Sequence, residues 1–215
     1  MSTYGFNMTQ EQAMALDQQL FDTWCQDFNE LQDTVKSSII IPLSECWFTK
    51  KGVEFSNSVN EMVNSAISKM HEYYMNFKEK INTAADNWAS TTGNEASHIF
   101  IKELDANGYS NWASDIMKET NSAGAAVIEY EAAMAVANKI PQIEQEYLGK
   151  IESIHNSLDA NTQFIGGEQA EALKQLYVEV TKEIQSLFSD ILVEVKTKIT
   201  EAAEEQKAQA EATFR

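Results

Sequence analysis

From Leu173 to Ala202 the chain places Leu173, Leu176, Val180, Ile184, Leu187, Ile191, Val195, Ile199 and Ala202 at intervals of three and four residues, with no Pro or Gly between them. That interval is the repeat of one face of an α-helix. A tight Phe164-Ile165-Gly166-Gly167 turn opens the stretch. Carried to Glu204, such a helix is on the order of 60 Å long, so it needs apolar partners along its whole length. Two prolines and eight glycines in 215 residues leave few breaks elsewhere, and the apolar residues keep a helical period almost throughout. No strand pattern is convincing, and the expected fold class is all-α.

The end of this helix has an earlier copy. Lys196 to Glu204 reads K-x-K-I-x-x-A-A-[D/E], as does Lys78 to Asp86, 118 positions before it. Upstream of the first copy lie Trp47-Phe48 and Gly52, at nearly the distance that separates Phe164 and Gly166 from the second. The chain therefore reads as two related halves. In the first, Thr9 or Asn7 caps a helix with Leu16, Leu20, Trp24, Phe28, Leu31 and Val35 on one face, ending near Ser37-Ser38. Ile39-Ile40-Ile41-Pro42-Leu43 is read as an apolar turn tip, because Pro42 drives Ile41 toward extended backbone. A second helix runs from Trp47, with Phe55, Val59, Met62, Ala66, Met70, Tyr73, Phe77, Ile81, Ala84 and Trp88 on one side, and Thr91-Thr92-Gly93-Asn94 stops it.

Glu95 to Leu104 reads as a short connecting helix, ended by Asp105-Ala106-Asn107-Gly108. A third long helix is expected from about Ser110, with the small residues Ser122 to Ala126 allowing close approach of a neighbour. Pro141 should kink or split it near Asn138. Ile143, Tyr147, Ile151, Ile154 and Leu158 lead on to the Phe164 turn and the last helix. The result is an elongated antiparallel four-helix bundle in up-down-up-down order, made of two helix-turn-helix hairpins: residues 1–93, a connector 94–108, and residues 109–215.

A net charge of −17 argues against nucleic acid and against anionic membrane surfaces as partners, since both are bound by a Lys/Arg surplus. It fits a solvated polar face. The N-terminus lacks the basic start and apolar run of a signal peptide, and no apolar run is long enough to span a bilayer. The two cysteines, Cys25 and Cys46, are expected to be free, because helical rise sets them about 15–20 Å apart where a bridge needs about 7 Å or less between Cα atoms.

Two of the three histidines close a Glu-x-x-His pattern, Glu95 to His98 and Glu152 to His155, the spacing used by carboxylate-bridged di-metal bundles. Glu95 and His98 fall on the short connector rather than a long core helix, so no metal site is assigned. No Ser/His/Asp or Cys/His arrangement stands out, and Gly166-Gly167-Glu168 lacks the lysine and hydroxyl of a phosphate loop. No catalytic residue and no cofactor are assigned. Trp47 sits in a turn, where it either plugs the end of the helices or contacts a partner together with Ile39, Ile40 and Phe48.

A helix, a turn carrying W-x-G and a second helix is the pattern of the small WXG-family proteins exported by type VII secretion systems, and both halves resemble it. Phe164-Ile165-Gly166 looks like the motif with Phe for Trp, and Trp47 to Gly52 like a stretched form of it. The family's export signal, Y-x-x-x-[D/E], is absent, since no tyrosine has Asp or Glu four residues on. The resemblance implies a fusion of two subunits that normally pair as separate chains. It also implies a non-enzymatic protein at the surface or outside the cell, delivered without a signal peptide, with the turn residues Trp47, Gly52, Phe164 and Gly166 as its sites. Its partners would be a secretion ATPase, a cognate effector, a WXG-like protein or a second copy. The alternatives are a bundle that stays in the cytoplasm, a helical toxin that inserts through Ile39 to Ile41 and the Ala/Gly stretch at 123–126, and a di-metal enzyme.

Overall fold

The computed structural model describes residues 8–100, 115–159 and 168–213; Asn7, the Phe164 turn, Ser110 and Trp112 lie outside them. Among the described residues the fold is all-α apart from one pair of two-residue strands. Helix α1 (Gln10–Val35) opens on a reciprocal cap, in which Gln12 N–H donates to Thr9 Oγ1 at 3.2 Å and Thr9 N–H donates to Gln12 Oε1 at 2.8 Å. These bonds satisfy amides that have no helical carbonyl to reach.

The chain does not turn at Ser37-Ser38. It stays helical through a π-turn (Lys36–Ile40) and a short α2 (Ile41–Ser44). Pro42 is tolerated because it falls in the first turn of α2, where its missing N–H is not needed. Ile41 keeps helical angles, φ −61° and ψ −52°, and its N–H donates to the Lys36 carbonyl five residues back. The widened turn carries Ile39 and Ile40 into the core and leaves Ile41 outside.

Strand β1 (Trp47–Phe48) pairs antiparallel with β2 (Val127–Ile128), Trp47 opposite Ile128 and Phe48 opposite Val127. Glu129 N–H donates to the Cys46 carbonyl at 2.8 Å beside them. Two residues are too few to show a period of two, which is why no strand is legible in the sequence. Helix α3 (Lys50–Thr92) stops where the sequence says, at Gly93 with φ +76°.

Two expected helical stretches are not helical. Asn94 to Phe100 has no regular secondary structure: the Asn82 side chain on α3 takes both backbone groups of Ile99, each at 2.9 Å, and Ile99 is buried. The remainder of that connector lies outside the described residues. From Asp115 to Ala126 the chain runs through turns and bends into β2, and the third long helix, α4 (Tyr130–Asp159), starts well after Ser110. Ser122 to Ala126 is an exposed loop rather than a close helix contact: Asn121 Oδ1 accepts from Ala123 and Ala125 N–H, both at 3.0 Å, and Gly124 has φ +77°. Pro141 lies within α4 on its exposed side, and the helix does not split there. Helix α5 (Glu168–Thr213) is the longest. Among the described residues no helix is long and apolar enough to cross a membrane.

The contacts gather into two compact units. Unit 1 comprises Met1–Phe28, Ile67–Asp105 and Gly149–Ser186. Its core takes Leu16, Leu20 and Trp24 from α1, Met70, Tyr74 and Ile81 from α3, Ile151 and Leu158 from α4, and Tyr177 and Ile184 from α5. Tyr74, not Tyr73, fills the centre; Tyr73 is half-buried, one position off the face assigned from the periodicity. Helices α1 and α5 leave this unit at Phe28 and Ser186, whereas α3 and α4 enter it at Ile67 and Gly149. Unit 2 comprises Asn29–Ala66, Ala106–Leu148 and Leu187–Arg215. Val35, Ile39, Ile40, Phe55, Val59, Ala137, Ile140, Val195 and Ile199 are buried there, and the rings of Tyr147 and Phe188 stack with centroids 3.5 Å apart. The sequence repeat has matching burial in both its copies: Ile81 and Ala85 are buried, as are Ile199 and Ala203.

Candidate functional site at the Trp47 turn

The turn between α2 and α3, within unit 2, is held by one hydroxyl. Thr49 Oγ1 accepts from Gly52 N–H at 2.9 Å, capping α3, and from the Trp47 indole Nε1–H at 2.7 Å. The indole stacks on Phe55 with centroids 5.1 Å apart and is only 3 % exposed. Gly52 lies directly beneath it. A Cβ there would come within 3.0 Å of Trp47 Cδ1, 3.1 Å of Trp47 Nε1 and 3.2 Å of Met117 Cε. Only glycine lets the ring rest on the first turn of the helix. Trp47 and Gly52 are thus one packing unit, despite the four residues between them.

Around this unit the expected partner surface is mostly absent. Ile39 and Ile40 are each 0 % exposed, because the π-turn faces them inward, and they cannot meet a partner. Phe48 is half-buried, and Ile41 is the exposed isoleucine of the three. A hollow of about 250 Å³ lies beside the indole, lined by Trp47, Thr49, Lys51, Ala202, Glu205, Gln206 and Gln209. Lys51 bridges to Glu205 at 2.9 Å across it, an exposed ion pair of small energetic worth. Phe164 and Gly166, the other expected turn, lie outside the described residues.

Both cysteines are free thiols. Cys46 is buried at the turn, its Sγ–H within 3.6 Å of the Pro42 and Leu43 carbonyls. Burial, then the charges of Glu129 and Glu45, push its pKa up to about 11. Cys25 is raised by burial and then by Asp22. Neither thiol sits in the electropositive setting that makes a nucleophile.

The histidines serve other bonds than the Glu-x-x-His spacing suggested. His98 Nε2 contacts Asp86 at 2.6 Å on the surface of unit 1. His155 is 3 % exposed and takes part in a buried layer to which each long helix contributes one residue. Its Nε2 lies 2.7 Å from Asp27 Oδ2 of α1, and its Nδ1 lies 2.7 Å from Thr181 Oγ1 of α5. Tyr74 of α3 donates its hydroxyl to the same Asp27 oxygen at 2.6 Å. Burial above all, then the charge of Asp27, holds that phenol well above its ordinary range. Among the described residues no three His, Cys, Asp or Glu side chains converge as metal ligands do.

Sequence reasoning missed this layer, although a signal was present. Asp27 sits three residues after Trp24 and four before Leu31, and His155 four after Ile151 and three before Leu158. Both are polar residues placed on an apolar face. No family model, no curated protein and no solved structure matches the chain.

Proposed function

We propose that this chain is a non-enzymatic protein of the type VII secretion kind, in which two WXG-like hairpins are fused into one elongated antiparallel four-helix bundle that works through protein contacts. The observation that carries the reading is the Trp47–Gly52 unit. An aromatic ring seated on a glycine, at a capped reversal between two long amphipathic helices, is what a W-x-G turn provides, and here the same chemistry is met with a longer spacing. Matching burial in the two copies of the repeat supports a common origin of the halves. The buried Cys46 thiol and the commitment of both Glu-x-x-His histidines to other bonds are consistent with a role through protein contact.

The partner, whether a secretion ATPase, an effector, a WXG-like protein or a second copy, would meet the turn at Ile41 and Phe48, the apolar side chains that remain accessible beside it. An epitope-tagged chain should appear in the culture supernatant of a host with an intact type VII ATPase and remain in the lysate of one without it. Retention in the lysate of both hosts would replace this reading with a bundle that stays in the cytoplasm.

A further inference from the structure

We infer that the Asp27–Tyr74–His155–Thr181 layer is a recognition key, which makes the first hairpin choose the second as its partner instead of another copy of itself. The inference rests on the two-hairpin reading of the fold and is independent of export. The first hairpin brings an acceptor carboxylate and a phenol, and the second an imidazole and a hydroxyl. Nε2–H of His155 and the Tyr74 hydroxyl both donate to Asp27 Oδ2, so the acceptor comes from one hairpin and a needed donor from the other.

The stripes around the layer cannot supply this choice. Leu, Ile and Val at every third or fourth position offer nearly the same surface after a slide of one turn, or to either hairpin. A buried carboxylate facing an imidazole is different, because only one arrangement joins them. Pairing two first hairpins would bury two Asp27 carboxylates without an imidazole, and pairing two second hairpins would bury two His155 rings without a carboxylate. A slide by one turn would strand both groups among apolar side chains. The layer is not built for maximal stability either. Asp27 is 0 % exposed, and its second oxygen, Oδ1, has no hydrogen-bond partner among the described residues. Apolar side chains of similar size would avoid that cost, so the layer's contribution is the choice of arrangement.

Two full-length variants test this. Asp27→Leu leaves His155 buried without its acceptor and should lower Tm by roughly 10 °C. Asp27→Leu/Tyr74→Phe/His155→Leu, an apolar layer, should recover that loss or exceed wild type. It should also show more than one set of amide cross-peaks by NMR, or a mixture of masses in solution, where wild type shows one. A triple variant that keeps a single set of peaks and the wild-type mass would show that the stripes alone choose the partner, and the key would be refuted. A triple variant that melts as low as Asp27→Leu would show a layer that only stabilises, and would refute the key as well. Neither measurement involves secretion, so the export reading can fail while this one stands.

Discussion

At single residues the structure reverses the ranking that turn position alone suggests. An aromatic in a turn is expected to be half exposed and cheap to remove, yet Trp47 is as buried as the helix core, while Leu187 on α5 is only half-buried. Trp47→Ala should therefore cost about 3–5 kcal/mol and Leu187→Ala less than about 2 kcal/mol, read from urea midpoints. Gly52→Ala should cost about 1–3 kcal/mol, because the added methyl comes nearest the rigid, buried indole ring, and a shift of the flexible Met117 end alone does not relieve that contact. If Gly52→Ala melts like wild type, the ring and the glycine are not one unit. Cys46 makes a pH prediction at the same turn. Its thiol ionises near 9.0 when exposed and at about 11 when folded, so above pH 9 the native state keeps a proton that the unfolded state has lost. The contribution of Cys46 is full below that range and is lost as pH rises through it. The stability difference between wild type and Cys46→Ala should shift against wild type between about pH 8 and about pH 10.5; a difference constant over that range would mean the thiol is not held neutral.

Elements differ in how they are held, and this decides which will come loose. The stretch Asn94–Phe100 has no helical hydrogen bonds and is fastened to α3 by the Asn82 amide, the buried Ile99 side chain and the His98–Asp86 contact. Asn82→Ala removes both amide bonds and should open the stretch to limited proteolysis at least tenfold faster, with the cut between Asn94 and Phe100, while the helices stay folded. An unchanged cleavage rate would show that Ile99 alone anchors it. The long helices rest on their stripes. Ile191, 7 % exposed, carries the seam of α5, and Ile191→Asp should unfold the protein or lower its stability by about 3 kcal/mol or more. Glu179, exposed on the same helix, should change it by no more than about 0.5 kcal/mol when replaced by Ala. Equal melting of the two variants would mean that α5 faces the other way.

For the whole molecule, separating stability from function requires side chains that are accessible and near the turn. Ile41 is 40 % exposed beside the buried Ile39 and Ile40. An Ile41→Ser/Phe48→Ser variant should remain folded by circular dichroism and still lose most of its export or partner capture, since interfaces concentrate their energy in a few apolar anchors. Wild-type export by this variant would move the contact surface away from the turn. The acidic outer faces, part of a net charge of −17, act on solubility and encounter with partners more than on the fold.

The helical period, the cap at Thr9 and the stop at Gly93 are local features, each carried by residues within one or two turns of one another, and the sequence by itself determined them, as it did the internal repeat, which is read by comparing residue types alone. Tertiary structure decided what depends on residues far apart in the chain. Ile39 continues the spacing of Leu31 and Val35, but Ile40 is buried beside it because a π-turn shifts the phase of the helix, which no periodicity announces. Asn94 to Phe100 is not helical because an amide on another element takes the backbone groups of Ile99, and the chain before β2 is a loop because Asn121 and Gly124 turn it. The Trp47–Gly52 contact was visible as two residue types but not as a contact, since only the close approach of the ring to the helix shows why glycine is needed. The Asp27–His155 pair was visible as two polar residues on apolar faces, 128 positions apart. Their meeting depends on which helices become neighbours, and periodicity along one helix carries no information about that.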